Sequence, residues 1–105
     1  MCNEKDGIIS MGPFIINPLE QTIFYYENEI ILTNREFQVL CLLLKNRGRV
    51  YSKKQIYYQV TESEERDDYH TVEITISRIR RKLKQYRPEE EYIITIRGSG
   101  YKIKK

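Results

Sequence analysis

The first third of the chain carries short apolar runs separated by turn-forming residues. Residues 1–7 are polar and end in a glycine, so they predict a tail or linker stub ahead of a domain over 8–105. The runs that follow are rich in β-branched and aromatic residues. They lie at 8–11, 14–16, 22–26 and 30–32, and two prolines and an acidic segment interrupt them. This pattern predicts an N-terminal antiparallel β-sheet.

Two capping boxes mark the starts of the first two helices. Thr33 is followed three residues later by Glu36, directly before an apolar repeat of helical period. A helix is therefore predicted over 34–46. Ser52 is followed in the same way by Gln55, and two apolar residues one turn apart come next. These residues predict a second, shorter helix.

A third helix, predicted over 69–85, has two distinct faces. An apolar stripe at positions 0, 4, 7 and 11 consists of Val72, Ile76, Ile79 and Leu83. A parallel stripe about a quarter turn away consists of Thr71, Thr75, Arg78 and Lys82, with Ile74 and Arg81 beyond it. The sequence predicts that the first stripe is buried and that the second face is basic and exposed.

Strand-like sequence returns after Pro88. Residues 92–97 and 101–104 flank the segment Gly98-Ser99-Gly100, which predicts a β-hairpin with a glycine-rich tip. A sheet, three helices and a terminal hairpin are typical of an α+β fold, the winged helix-turn-helix. In that fold the second and third helices form the helix-turn-helix pair and the C-terminal hairpin is the wing.

Composition narrows the class of protein. With 105 residues, of which 40% are hydrophobic, the chain predicts one folded domain. It has no membrane-length apolar run and no signal-peptide pattern, so we expect a cytoplasmic protein with no membrane partner. The positions of Cys2 and Cys41 fit neither a metal site nor a disulfide framework. Two free thiols, no metal and no cofactor are predicted.

The distribution of charge is more informative than the net charge of +3. Residues 70–105 contain ten lysines and arginines against four glutamates, so the last third is basic. Residues 61–69 contain five acids against one arginine, which makes the predicted loop between the second and third helices acidic. Phosphate would repel this loop, so we expect it to face away from a nucleic acid bound to the basic region.

The third helix carries the residue types that read duplex DNA. Arg78 has the paired donors that suit a guanine edge, and Ile74 suits a thymine methyl group. Thr71 and Thr75 are expected to donate to phosphates or bases. Further cations on this helix are expected at phosphates, namely Arg80, Arg81, Lys82 and Lys84. Arg97, next to the hairpin tip, is expected in the minor groove.

Three other interpretations compete with DNA binding. A basic helix face by itself is more often merely solvated, but an apolar residue at Ile74 is not explained by solubility. Packing of Ile74 on another element would explain its position as well as a DNA contact would. The only histidine, His70, has no triad-like arrangement around it, so the sequence predicts no enzyme. The remaining alternative is a winged-helix protein-interaction module whose basic face meets an acidic partner.

Four segments carry a family resemblance that covers nearly the whole chain. They are LTNREFQVL at 32–40, GRVYS at 48–52, TVEITISRIRRKL at 71–83 and IRGSGYK at 96–102. Together they resemble the first helix, the second-helix entry, the recognition helix and the wing of OmpR/PhoB-type response-regulator effector domains. The strands before 32 occupy the place of that family's N-terminal sheet.

The resemblance implies a transcription regulator of a two-component system, with protomers in tandem on double-stranded DNA. It implies base contacts for Ile74 and Arg78, phosphate contacts for Thr71, Thr75 and Arg80, and minor-groove or backbone contacts for Thr95 and Arg97. It also implies that the loop 61–69 is available to RNA polymerase. The sequence shows no receiver-domain pattern, so we expect either an excised output domain or a stand-alone regulator.

Overall fold

The computed structural model describes residues 7–60 and 69–104, which form a four-stranded sheet, three helices and a terminal hairpin in that order. The strands of the sheet are β1 (Ile9–Met11), β2 (Phe14–Asn17), β3 (Thr22–Tyr25) and β4 (Asn28–Ile30). The helices are α1 (Asn34–Lys45), α2 (Lys53–Val60) and α3 (His70–Lys84). The hairpin consists of β5 (Ile93–Ile96) and β6 (Gly100–Ile103). The predicted fold class is confirmed.

The N-terminal sheet is an antiparallel meander in the order β1-β2-β3-β4. Alternate residues such as Phe14, Ile16 and Ile23 point into the core and are buried. Ile15 and Phe24 are paired across β2 and β3 on the opposite face, where both are exposed. The sheet therefore covers the helices with one face only.

The fourth strand begins and ends earlier than the sequence predicts. Tyr26 and Glu27 form a two-residue turn in which both have positive φ, 50° and 75°. Such turns usually contain glycine or asparagine, so the sequence carries no signal for this one. Here the backbone N–H of Tyr26 donates to the carbonyl of Pro13 at 3.0 Å, and Asn28 donates its side-chain amide to the carbonyl of Tyr26 at 3.1 Å. The predicted fourth strand is present, but it spans Asn28–Ile30 and not 30–32, because these contacts place the turn before Asn28.

Both predicted capping boxes are confirmed. The hydroxyl of Thr33 accepts from the backbone N–H of Glu36 at 3.2 Å, and the carboxylate of Glu36 accepts from the N–H of Thr33 at 3.0 Å. Ser52 and Gln55 form the same reciprocal pair at 3.0 and 2.9 Å. These bonds satisfy N–H groups that have no partner within the helix, so they fix where α1 and α2 begin.

The helices bury the apolar stripes that the sequence predicts. α1 is buried along most of its length and packs against both α2 and α3. On α3 the residues facing this core are Val72, Ile76, Ile79 and Leu83, and all four are buried. The opposite side of α3 is therefore the side that solvent reaches.

The terminal hairpin is joined to the segment that precedes α2. Tyr51 and Tyr101 exchange two backbone hydrogen bonds, each 2.9 Å long. Gly100 lies against this bridge, and a β-carbon at that position would be 2.0 Å from the carbonyl oxygen of Tyr51. Glycine is required at this position because only its absent side chain allows the two backbones to approach so closely.

A cluster of tyrosines fastens the N-terminal sheet to the start of the hairpin. The hydroxyl of Tyr26 donates to a carboxylate oxygen of Glu90 at 2.6 Å and lies 3.2 Å from the hydroxyl of Tyr92. The guanidinium of Arg87 lies over the ring of Tyr26, 3.8 Å from its centroid. Burial raises the pKa of the neighbouring Tyr25 to about 12. The contacts of this cluster connect the N-terminal sheet to the hairpin and support the fold.

The structure also bears on what the sequence predicts about the cysteines, a metal site and a membrane span. Cys41 is buried in α1 and disulfide-bonded, so the prediction of a free thiol there was wrong; spacing along the chain does not decide which sulfur atoms meet in space. Cys2 lies outside the described residues.

Within 7–60 and 69–104 no His/Cys/Asp/Glu group is arranged to hold a metal ion. No helix in the described part of the chain is long and apolar enough to cross a membrane.

Candidate nucleic-acid interface

The solvent-facing side of α3 forms a continuous surface, which we call the α3 face. Residues three and four apart lie above one another on a helix, so they line one shallow depression of about 390 Å³. The lining residues are His70, Glu73, Ile74, Ser77, Arg78 and Arg81. These residues are centred on Ile74 and Arg78. The α3 face therefore lies further from the core than the stripe of threonines and cations that the sequence predicts.

Three side chains of the α3 face are available to a ligand. Ile74 is 39% exposed although it is apolar. Arg78 and Arg81 are exposed, and neither forms a hydrogen bond or salt bridge with another described residue. An isoleucine flanked by two uncommitted guanidinium groups offers both an apolar contact and forked donors.

The two threonines of the predicted stripe are placed differently from each other. Thr75 is only 8% exposed, and its hydroxyl donates to the carbonyl of Thr71 at 2.8 Å. Such a bond within the helix occupies the hydroxyl hydrogen that a phosphate or base would need. Thr71 is half-buried at the first turn of α3, at the edge of the α3 face. The structure therefore turns Thr75 towards the interior.

Two of the predicted phosphate contacts are bonded within the chain. The guanidinium of Arg80 donates through Nη2 to the carbonyl of Ile93 at 2.8 Å and to the hydroxyl of Thr95 at 2.7 Å. The ammonium of Lys82 donates to the carboxylate of Glu36 at 2.7 Å. Both side chains leave α3 on its flanks and reach neighbouring elements. Their positive charges are consequently directed away from the α3 face.

The tip of the hairpin projects beside α3. The N–H of Ser99 donates to the carbonyl of Ile96 at 2.8 Å and closes the turn, in which Gly98 has a positive φ of 79°. Arg97 is exposed at this tip, as the sequence predicts. Thr95 is also exposed, but its hydroxyl oxygen accepts the bond from Arg80. The wing thus presents one uncommitted guanidinium to solvent.

A cleft of about 500 Å³ separates the wing from the first turns of α2 and α3. Its lining includes Lys53 and Lys54 at the start of α2, and Arg97 across from them. Neither lysine was among the predicted DNA contacts. Their signal was present, since they are the two middle residues of the second capping box. Because Lys53 is paired with Glu73, it is Lys54 that extends the cationic surface from the wing tip to α2.

An ion pair between two residues that line this cleft joins α2 to α3. The ammonium of Lys53 is paired with the carboxylate of Glu73, and Nδ1 of His70 lies 3.0 Å from the other oxygen of that carboxylate. The hydrogen bond from Lys53 holds the pKa of Glu73 below its ordinary value. The negative charge of Glu73 is therefore balanced locally, in a surface that is otherwise cationic or neutral.

The architecture defines the class of protein: a winged-helix domain with an N-terminal sheet, in which α2 and α3 form the helix-turn-helix pair. Residues 27–103 match the family model described as "Transcriptional regulatory protein, C terminal". The chain belongs to this family, the OmpR/PhoB-type effector domains. It is a family of transcription regulators and not of enzymes.

Curated relatives support this membership along most of the chain. It is 31% identical over 94 residues to the transcriptional regulatory protein PhoP of Escherichia coli, covering 90% of this chain and 42% of PhoP. It is 32% identical over 101 residues to the alkaline phosphatase synthesis transcriptional regulatory protein PhoP of Bacillus subtilis, covering 96% and 42%. The chain therefore spans less than half the length of these relatives.

Solved structures show the same fold. The DNA binding domain of CpxR from E. coli matches with a TM-score of 0.78 and 26% identity, covering 93% of this chain and 96% of that one. The response regulator DrrB of Thermotoga maritima, an OmpR/PhoB homologue, matches with a TM-score of 0.80 and 28% identity, covering 97% of this chain and 46% of DrrB. The predicted family resemblance is confirmed.

Proposed function

We propose that this domain binds double-stranded DNA sequence-specifically, with α3 in the major groove and the wing on the minor groove. The proposal rests on the α3 face, where Ile74, Arg78 and Arg81 are exposed. The two guanidinium groups have no hydrogen-bond partner among the described residues. A slender helix with forked donors and an apolar residue fits the edge pattern of the major groove. The similarity to the DNA binding domain of CpxR agrees with this function.

The residues of the α3 face, its edge and the wing tip have proposed roles. Arg78 donates to a guanine edge, and Ile74 contacts a thymine methyl group. Thr71 and Arg81 contact phosphates on the two sides of the groove. Arg97 enters the adjacent minor groove. The sequence also predicts DNA contacts for Thr75, Arg80, Lys82 and Thr95, but their polar groups have partners within the chain, so we propose supporting roles for them.

The test of DNA binding is a selection followed by a salt titration. Genomic fragments retained by the domain at low salt are sequenced, and the affinity for the best duplex is compared with that for a scrambled duplex. We expect selective binding whose affinity falls steeply with salt, because phosphate contacts release counterions. Retention of no duplex at low salt, together with capture of an acidic protein partner, would instead establish the protein-interaction module.

The wider setting follows from the relatives, which are longer than this chain. We propose that the domain is the cytoplasmic output part of a two-component response regulator and that protomers bind tandem DNA half-sites. The matched share of E. coli PhoP, 42%, leaves room in such a protein for a second domain. A duplex with two half-sites tests the arrangement: two protomers should bind it, and changing the spacing by about five base pairs, half a helical turn, should abolish the second binding event.

The acidic segment 61–69 is proposed as the surface for RNA polymerase. Residues 61–68 lie outside the described residues, so the proposal rests on the charge of the sequence. Replacing Glu62, Glu64, Glu65 and Asp67 by glutamine should leave DNA affinity unchanged or slightly higher. Transcription activation should fall if polymerase contacts this segment. A large loss of DNA binding would show that the segment faces the duplex.

A further inference from the structure

Arg80 occupies an unusual position for a cation on α3. It is half-buried on the flank of the helix, and its guanidinium lies 5.8 Å from the ring centroid of Tyr101 in the hairpin. Its Nε is buried without a hydrogen-bond partner, and no carboxylate of a described residue pairs with it. A partly buried charge without a counter-ion is not explained by stability, because an apolar side chain would fill the same space without a desolvation cost.

The bonds that Arg80 does make are directed at one strand. A single nitrogen, Nη2, donates to the backbone of Ile93 and to the side chain of Thr95, both on β5. Because the N–H of Lys104 donates to the carbonyl of Tyr92, the next carbonyl along the strand, that of Ile93, points away from β6. It therefore lies on the open edge of the hairpin, where Arg80 is its partner.

The wing needs such an attachment. A two-stranded hairpin is marginally stable by itself. Here the backbone bonds to the segment before α2 all involve β6: Gly48 donates to the carbonyl of Ile103, and Tyr51 and Tyr101 form the bridge. Arg80 ties the other strand, β5, to α3. The attached residue Thr95 precedes the tip residue Arg97 by two positions, so the link lies close to the part of the wing that would reach the minor groove.

We propose that Arg80 is a positioning residue that sets the angle between the wing and α3, and that it does not contact phosphate. This inference rests on the proposed function, since it concerns how two grooves are engaged at once. A phosphate contact would contribute to affinity independently of the wing, whereas a link from Nη2 of Arg80 to β5 contributes only through the position of the wing. The two possibilities respond differently to substitution.

The first test needs no DNA. Hydrogen exchange of the free domain should be faster at the amides of residues 94 and 102 in Arg80→Lys and Arg80→Met than in the unchanged domain, while exchange within α1 stays the same. Arg81→Met, on the exposed α3 face, is the matched control and should leave the hairpin unchanged. Equal exchange in all variants would overturn the link whether or not the domain binds DNA.

The second test separates positioning from direct contact. Arg97→Ala should weaken binding to the selected duplex by about tenfold. If Arg80 acts through the wing, Arg80→Met should weaken binding by a similar factor. The double variant with Arg97→Ala should then bind little more weakly than Arg97→Ala alone. Arg81→Met should instead add its full effect to that of Arg97→Ala. Full additivity for Arg80→Met, or binding by Arg80→Lys equal to that of the unchanged domain, would make Arg80 a phosphate contact.

Thr95 supplies a variant that leaves Arg80 in place. Thr95→Val removes the acceptor with little change in shape, and Thr95→Ser keeps the hydroxyl. We expect Thr95→Val to speed exchange in the hairpin and to weaken binding by several-fold, and Thr95→Ser to restore both. Equal behaviour of the two variants would contradict the link. If the unchanged domain retains no duplex, the exchange data still decide the role of Arg80, and the proposed function alone fails.

Discussion

Lys82 and Glu36 form an ion pair that crosses from α3 to the first turn of α1. The ammonium nitrogen lies 2.7 Å from Oε1 of the carboxylate and 2.9 Å from the carbonyl oxygen of Ile31. The side chain of Glu36 is only 4% exposed, and its carboxylate also caps α1. Lys82, which the sequence predicts to contact phosphate, thus connects α3 to the start of α1.

Replacing Lys82 by methionine should therefore destabilise the domain. The substitution leaves a buried carboxylate without its counter-ion, so we expect the free energy of unfolding to fall by about 2–3 kcal/mol. Lys84→Met, two residues further along the same helix at an exposed position, is the control and should change it by less than about 0.5 kcal/mol. Urea unfolding measures both. If Lys82→Met keeps its stability and its DNA binding depends less on salt, Lys82 is a phosphate contact and not a structural ion pair.

The same pair predicts a dependence of stability on pH. Burial alone would raise the pKa of Glu36, but hydrogen bonds from Lys82 and the Thr33 backbone outweigh it and lower that pKa below 4.5. The charged carboxylate then contributes stability above its unfolded-state pKa, and this contribution is lost as the pH falls through the lower folded-state pKa.

Glu36→Gln provides the comparison, because glutamine can keep the capping box without a charge. The stability advantage of the unchanged domain over Glu36→Gln should be present at pH 6 and shrink by pH 3. Urea unfolding at both values gives the difference, and carboxylates common to both proteins cancel in it. Parallel loss of stability in the two proteins on acidification would show that the ion pair does not contribute.

Gly100→Ala should loosen the attachment of the wing. The added β-carbon would lie 2.0 Å from the carbonyl oxygen of Tyr51, so the bridge between Tyr51 and Tyr101 has to open. We expect a loss of about 2 kcal/mol or more in unfolding free energy. Gly98→Ala, where nothing lies within 4 Å, should cost only the left-handed strain of about 1–2 kcal/mol. A larger loss in Gly98→Ala than in Gly100→Ala would contradict this account.

Arg78→Ala tests direct readout by the α3 face. Because Arg78 has no hydrogen-bond partner among the described residues, its removal should leave stability unchanged within about 0.5 kcal/mol. Affinity for the preferred duplex should fall by about 1–3 kcal/mol, and preference for that duplex over others should weaken at one base pair. Fluorescence anisotropy on specific and scrambled duplexes measures both. Equal losses on the two duplexes would identify Arg78 as a phosphate contact.

Local sequence determined the elements of this domain. The capping boxes at Thr33 and Ser52 satisfy backbone N–H groups within one turn. The start of each helix is therefore set by neighbouring residues and does not depend on the rest of the fold. The apolar stripe from Val72 to Leu83 and the glycine-rich tip of the hairpin likewise act through neighbouring residues. These signals were sufficient to predict three helices, a terminal hairpin and the winged-helix class.

The tertiary structure decided which cations face solvent. Arg78, Arg80, Arg81 and Lys82 lie within five positions on one helix, and no local pattern separates a guanidinium at a groove from one at a protein carbonyl. Arg80 finds acceptors on β5, 13 and 15 residues later, and Lys82 finds Glu36, 46 residues earlier. Long side chains reach whatever the fold brings near them. The start of the fourth strand depended on distant contacts in the same way, because the carbonyl of Pro13 fixes the turn at Tyr26.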